Sequence, residues 1–255
     1  MTARLHAVED GPADAPVLVL GPSLGTDTGL FDPQVAEFAR SHRVIRYDLR
    51  GHGGSQVVPG PCTIADLAGD VLALLDDLDV DRFSYAGVSI GGAIGQQLAL
   101  TVPDRLDRLA IIASAARFAD PPSWTVRAAQ VREHGTEVLV PSRTGTWFTA
   151  EWAGQEPAAA ERLLDMLRAT PAEGYAACCE AIGRMDQRRD LPGIAAPALV
   201  VSGSDDPATP LSHQRVIAET IPGARWEILE PAAHLATAEQ PQAALRLILD
   251  HLEAA

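Results

Sequence analysis

The sequence predicts an α/β fold: a mostly parallel sheet of seven or eight strands, flanked by helices and interrupted by a helical insertion. Three observations carry this expectation. Apolar runs of strand length alternate with helical patterns almost from the start, as strand–helix–strand units require. Residues 16–20, Pro-Val-Leu-Val-Leu, are apolar at consecutive positions, which suits a strand buried on both faces. Between about residues 116 and 194 the alternation stops. That segment is helical in pattern and holds Trp124, Trp147 and Trp152, and it is too long for a structureless loop.

Taken in order, residues 3–8 read as an edge strand ahead of a turn at Asp10-Gly11-Pro12. Residues 16–20 end in Gly21-Pro-Ser-Leu-Gly25, and a helix follows over 33–40. The strand at 44–47 runs into Asp48-Leu-Arg-Gly-His-Gly-Gly-Ser55. Thr63 and Asp66 have capping-box spacing, and Ile64, Leu67, Val71, Leu74, Leu75 and Leu78 form a helical stripe behind them. An apolar run at 83–86 precedes a further helix, and residues 108–115 read as the next buried strand. After the insertion come a strand at 198–201, a helix at 211–219, a strand at 226–229 and a last helix over 241–252. The chain thus divides into one core, residues 1–115 and 195–255, and a lid, residues 116–194.

Composition narrows the function classes. The 255 residues suffice for one sizeable core. The net charge is −14, with 20 arginines and no lysine, which argues against nucleic acid as a partner and removes Schiff-base and Ser–Lys chemistry. Three cysteines, two of them adjacent (Cys178 and Cys179), give no disulfide framework and suit a reducing cytoplasm. No run approaches the roughly 18 apolar residues of a membrane span, and the N-terminus has no apolar signal segment, so neither membrane nor export is expected. The composition leaves self-association open.

The stretch around which the rest is organised is Gly87-Val-Ser-Ile-Gly91, between the 83–86 strand and a helix carrying Ile94 and Leu98. A Gly-x-Ser-x-Gly can arise by chance in a chain with 21 glycines, but a strand before it and a helix after it give the context of a nucleophile elbow. A serine in a strained turn needs neighbours without bulk at minus two and plus two, and a helix starting just beyond it aims free N–H groups at any oxyanion formed there. Asp206, in Ser-Gly-Ser-Asp-Asp-Pro, falls at the C-terminal end of the 198–201 strand, where parallel sheets place their ligands; Asp205 is its rival. His234, in Glu-Pro-Ala-Ala-His-Leu, follows the 226–229 strand. Nucleophile, acid, histidine is the chain order of α/β-hydrolases. In that class the turn after the second strand gives one oxyanion donor and the residue after the nucleophile the other, here Leu24 and Ile90.

The remaining histidines are weaker candidates. His52 suits either a pocket rim or a structural turn. His6, His42, His134, His213 and His251 read as surface or helix positions without metal-ligand spacing. No Walker lysine and no Gly-x-Gly-x-x-Gly after the first strand is present. No metal and no cofactor is expected.

These pieces resemble the α/β-hydrolase superfamily and, within it, the 3-oxoadipate enol-lactonases. The narrower resemblance rests on Ser23-Leu-Gly-Thr-Asp27 in place of the usual His-Gly turn, and on the lid motifs Trp147-Phe-Thr-Ala150 and Glu173-Gly-Tyr-Ala-Ala-Cys-Cys-Glu-Ala-Ile182. Pro22 and Ala233 depart from it: Asn is common at the first position and Gly or Ser at the second. The resemblance implies a cytoplasmic enzyme of aromatic catabolism acting on a small anionic lactone. Ser89 would be its nucleophile, His234 its base and Asp206 the orienting acid; Trp147 is the candidate wall against the substrate ring, because amphipathic aromatics suit small pockets, with plain packing as the alternative. Other activities on the same triad (esterase, C–C hydrolase or perhydrolase-like) and a non-catalytic binding protein on this fold are the alternatives.

Overall fold

Continuous apolar runs pair into a sheet buried on both faces, and the intervening amphipathic stretches cover it. A computed structural model describes residues 2–254; Met1 and Ala255, the outermost residues of the expected core, lie outside the described residues. The strands are β1 (Ala7–Asp10), β2 (Val17–Gly21), β3 (Arg43–Tyr47), β4 (Phe83–Val88), β5 (Leu106–Ile112), β6 (Ala198–Gly203) and β7 (Arg225–Leu229). They form one sheet in the order β1-β3-β2-β4-β5-β6-β7, parallel throughout except for β1, which is antiparallel to β3.

The helices are α1 (Asp32–Phe38), α2 (Ile64–Asp77), α3 (Ile90–Thr101), α4 (Pro121–His134), α5 (Ala150–Gln155), α6 (Pro157–Ala169), α7 (Ala172–Arg184), α8 (Leu211–Thr220), α9 (Ala236–Glu239) and α10 (Pro241–Glu253). The Thr63–Asp66 capping box at the start of α2 is formed in both directions. Helices α4 to α7 fall within residues 116–194, where no named strand occurs among the described residues. Within this lid α4 packs along α7.

Most element boundaries fall close to expectation, and two are displaced further. The edge strand begins at Ala7 rather than residue 3, because side chains occupy the preceding N–H groups. Ala3 N–H donates to Asp70 Oδ1, Arg4 N–H to Gln56 Oε1 and His6 N–H to Ser55 Oγ. β5 stops at Ile112 because Ala113 takes φ 46°, which turns the chain out of the sheet.

The topology fixes where a site can form. β3 lies on one side of β2 and β4 on the other. With right-handed crossovers the connecting helices pass to opposite faces there, opening a crevice at the C-terminal ends of β2 and β4. The register pairs Gly21 with Gly87, so the turn after β2 and the turn after β4 emerge side by side. The lid reaches back to the core at Gly51 and Gly174. Their backbones approach so closely that a Cβ on Gly174 would stand 2.1 Å from Gly51 O.

Candidate active site

At the end of β4 the chain must reverse into α3 within one residue, and Ser89 carries the strain. It has φ 60° and ψ −116°, a region L-residues seldom occupy. Ser89 N–H donates to Ile112 O at 2.8 Å, and Ser114 Oγ donates to Ser89 O at 2.7 Å, so both backbone groups of the turn are held. Gly87 and Gly91 are dictated by packing: a Cβ on Gly87 would stand 2.4 Å from Gly91 C, and one on Gly91 would stand 2.5 Å from Gly21 O. The resulting turn presents Ser89 Oγ at the sheet edge.

His234 and Asp206 arrive from the ends of β7 and β6. His234 Nε2 lies 2.8 Å from Ser89 Oγ, and His234 Nδ1 lies 2.9 Å from Asp206 Oδ2. All three residues are buried. With a carboxylate at Nδ1, that nitrogen carries the hydrogen, which leaves Nε2 free to accept from Ser89 Oγ.

Asp206 is held in turn by Thr209, whose hydroxyl donates to Oδ2 at 2.7 Å; Ala208 and Thr209 N–H groups donate to Oδ1 at 2.8 and 2.9 Å. Burial by itself would raise the Asp206 pKa, but the attraction and hydrogen bond of His234 and the hydrogen bonds from Thr209 outweigh it. The carboxyl is held below its ordinary 3.8. Asp205 turns away, accepting from Ser204 Oγ at an exposed position.

The two expected oxyanion donors lie beside Ser89. Ile90 is the first residue of α3, where a backbone N–H has no intrahelical acceptor. Leu24 lies in the turn after β2 and lines the cavity over Ser89. Among the described residues neither N–H donates to another protein group. His52 belongs to this turn rather than to the cavity rim. It is fully buried, its Nε2 accepts Gly25 N–H at 3.1 Å, and its Nδ1 lies 3.1 Å from Arg50 O. His42 and His251, expected at surface or helix positions, are buried, His251 within α10.

A cavity of about 420 Å³ opens over Ser89 and His234. Trp147, Tyr175 and Leu24 form part of its wall, with Arg127 and Arg143 also facing it. The lid is tied to the histidine loop by backbone bonds, His234 N–H to Thr146 O at 3.3 Å and Leu235 N–H to Trp147 O at 2.6 Å. Thr209, Arg127, Arg143 and Glu239 were not singled out by sequence. Only Thr209 had a readable signal, an Asp-Pro-x-Thr turn able to cap its own aspartate. Among the described residues no cluster of three or more His, Cys, Asp or Glu side chains could hold a metal ion, and no helix is long and apolar enough to cross a membrane.

A seven-stranded sheet with a serine elbow between β4 and α3 is the architecture of one broad enzyme class, and residues 16–241 match its family, alpha/beta hydrolase fold. The chain belongs to the α/β-hydrolase family and is a hydrolase, as the resemblance implied. Narrower similarities follow. The chain is 39% identical over 233 residues to 3-oxoadipate enol-lactonase 2 of Acinetobacter baylyi, covering 91% of this chain and 87% of the relative. The crystal structure of the enol-lactonase from Burkholderia xenovorans LB400 superimposes with a TM-score of 0.96 at 41% identity, over 98% of this chain and 96% of that one. A Caulobacter sp. protein named as a carbamate hydrolase, RutD, is 30% identical over 97% of this chain and 94% of its own length.

Proposed function

We propose that this protein is a serine hydrolase that opens 3-oxoadipate enol-lactone to 3-oxoadipate with water, in the cytoplasm, as a step of aromatic (protocatechuate/catechol) catabolism. The observation that carries the reading is the hydrogen-bonded chain Ser89–His234–Asp206, with Ser89 on a positive-φ turn beneath a small cavity. The similarity to enol-lactonases over nearly the full chain supports the choice of substrate.

In this reaction Ser89 Oγ attacks the lactone carbonyl while His234 Nε2 takes its proton. Asp206 holds the imidazole in the required tautomer and stabilises the imidazolium. The carbonyl oxygen becomes an oxyanion received by the Ile90 and Leu24 N–H groups; loss of one such donor typically raises the barrier by about 3 kcal/mol. The ring C–O bond then breaks, giving an acyl-enzyme and an enol protonated by His234.

The enol stays tethered to the acyl group, so reclosure competes with hydrolysis until the enol ketonises. Water, deprotonated by His234, then attacks the acyl carbon and frees Ser89 and 3-oxoadipate. Trp147 would wall the substrate ring, since a broad, flat aromatic side chain suits a small pocket.

The test follows the ultraviolet loss of enzymatically generated 3-oxoadipate enol-lactone with wild type and Ser89→Ala. Rapid decay abolished by the substitution is the expected result. Wild type that matches the spontaneous rate yet turns over p-nitrophenyl acetate would retain the triad and refute the lactonase assignment. Wild type silent on both substrates would favour the binding-protein alternative.

A further inference from the structure

Among the described residues three arginines are buried: Arg46, Arg50 and Arg143. Two are neutralised by carboxylates. Arg46 pairs with Asp10 at 2.9 Å and Asp32 at 2.8 Å, and Arg50 grips Asp70 through two bonds of 2.6 and 2.7 Å. Among the described residues Arg143 has no carboxylate within pairing distance. Its Nε donates to Leu139 O at 3.2 Å and its Nη2 to Ser142 Oγ at 2.9 Å, while the guanidinium carbon lies 5.6 Å from the Trp147 ring centre.

A buried cation without a counter-charge costs several kcal/mol, so such an arrangement persists where function needs the charge. Burial pushes the Arg143 pKa down, and the positive charge of Arg127 adds to that push. The hydrogen bonds to Leu139 O and Ser142 Oγ could be made equally by a neutral amide. Beyond its contact with the Trp147 ring, the packing gives no reason for a guanidinium here.

Arg143 lines the cavity that holds Ser89 and His234. Its carbonyl accepts Thr146 N–H at 2.9 Å and Trp147 N–H at 2.7 Å, and the same two residues accept the N–H groups of His234 and Leu235. The Arg143 turn is thus locked to the histidine loop by backbone bonds. Arg127 approaches the same cavity from α4, its guanidinium 4.5 Å from the Trp124 ring centre, also without a carboxylate partner among the described residues. Among the described residues the single acidic side chain lining the cavity is Asp120, exposed at the N-terminal end of α4. In a chain of net charge −14, two arginines without a carboxylate partner among the described residues, both lining the nucleophile's cavity, are a local reversal of the field.

We propose that Arg143, seconded by Arg127, forms a carboxylate-binding subsite that makes the enzyme selective for esters and lactones bearing an anionic group near the scissile carbonyl. This rests on the reading of Ser89 as the nucleophile. The forked N–H pattern of a guanidinium matches a carboxylate, and a substrate anion supplies the counter-charge that the fold withholds. A neutral ester fills the same cavity and leaves Arg143 unpaired, so discrimination arises from attraction and from the cost of desolvating an unmatched charge.

The experiment compares two activated esters of equal acyl length, mono-4-nitrophenyl glutarate and 4-nitrophenyl valerate, and reads the ratio of their kcat/KM values. Wild type favours the glutarate. Arg143→Gln lowers the ratio on the order of 10- to 100-fold, mostly through KM of the anion, the range expected for a lost hydrogen bond between charged partners. Arg143→Lys retains part of the preference, and Arg127→Gln, at a half-buried helix position that does not threaten the fold, lowers it less. A ratio in Arg143→Gln within twofold of wild type would overturn the proposal.

The lactonase assignment is tested separately by the enol-lactone itself. Failure there with the ester ratio intact leaves the subsite standing and changes only the substrate's name. Should wild type cleave neither ester, calorimetric titration with glutarate decides: saturable binding lost in Arg143→Gln upholds the subsite, and no binding to wild type removes it.

Discussion

The Glu239 carboxylate accepts the Ala233 N–H at 2.6 Å through Oε1, one residue ahead of His234. Its other oxygen takes both the N–H and the hydroxyl of Thr149, at 2.9 and 2.7 Å, at the start of α5 in the lid. One buried side chain therefore clamps the histidine loop to the lid, in parallel with the backbone bonds from Leu235 and His234 to Trp147 and Thr146.

Replacing that clamp exposes its worth. Glu239→Ala leaves the buried Ala233 N–H and the part-buried Thr149 N–H without acceptors, at about 1–3 kcal/mol for the first and less for the second, so we expect a loss of about 2–4 kcal/mol. Glu239→Gln keeps one acceptor oxygen and loses about half as much. Urea denaturation with both variants checks this, and a loss below about 1 kcal/mol for Glu239→Ala would show that solvent replaces the carboxylate.

What could be read from sequence, and what could not, follows from the range of the interactions. Ser89, Asp206 and His234 were legible because each follows the end of a strand-like apolar run, and a parallel sheet delivers such ends to one edge. The glycines at 87 and 91 were legible because a local turn demands them. Arg143 was not: nothing local distinguishes it from the other arginines, and its burial without a partner depends on how the 136–142 turn seats against Trp147. Glu239 was hidden because its partners lie 6 and 90 residues away. The late start of β1 was hidden for a similar reason, since the competing acceptors, Asp70, Gln56 and Ser55, come from distant segments.

Acid sensitivity should be visible through His52. Its Nε2 can accept the Gly25 N–H only when unprotonated, and burial lowers its pKa from 6.5 to about 4. Between those values the unfolded chain binds a proton that the folded chain refuses, so stability falls as pH falls through this window. For His52 alone the loss from pH 7 to pH 5 is about 2 kcal/mol. His251, lowered mainly by burial and also to about 4, acts in the same direction. The depressed Asp206 contributes stability above its ordinary 3.8 and loses it only below this range. Denaturation at pH 7 and pH 5 should show a smaller pH difference in His52→Asn than in wild type; an equal difference would assign the slope elsewhere.

Beneath the elbow, Tyr47 and Tyr85 hydroxyls lie 2.8 Å apart in the dry core, and Tyr85 Oη donates to Gly91 O at 3.0 Å. With the Tyr85 hydrogen committed to Gly91, Tyr47 must be the donor to Tyr85. Tyr85→Phe then strands the Tyr47 hydrogen and the Gly91 carbonyl, at about 2 kcal/mol, while Tyr47→Phe removes a donor and costs about 1 kcal/mol. The double variant should cost no more than Tyr85→Phe alone, a coupling of about 1 kcal/mol in a double-mutant cycle. Strict additivity would mean that the two hydroxyls do not share a hydrogen bond in solution.

Gly91 and Gly69 offer opposite outcomes for the same substitution. A Cβ on Gly91 would stand 2.5 Å from Gly21 O and 2.8 Å from Pro22 O, backbone atoms at the end of β2 that cannot swing aside. Relief requires α3 to shift, and with it Ser89, which must stay 2.8 Å from His234 Nε2. We expect Gly91→Ala to destabilise by about 3 kcal/mol. A displacement of about 1 Å at the serine would lower kcat about 100-fold. Gly69 lies in the middle of α2, and a Cβ there would meet no atom within 4 Å. Gly69→Ala should stabilise by about 1 kcal/mol through helix propensity and leave esterase activity at the wild-type level. Melting temperature and p-nitrophenyl acetate turnover, measured on both variants, distinguish a glycine required by close approach from one the helix merely tolerates. If Gly91→Ala matched wild type in both, the packing argument for the elbow would be wrong.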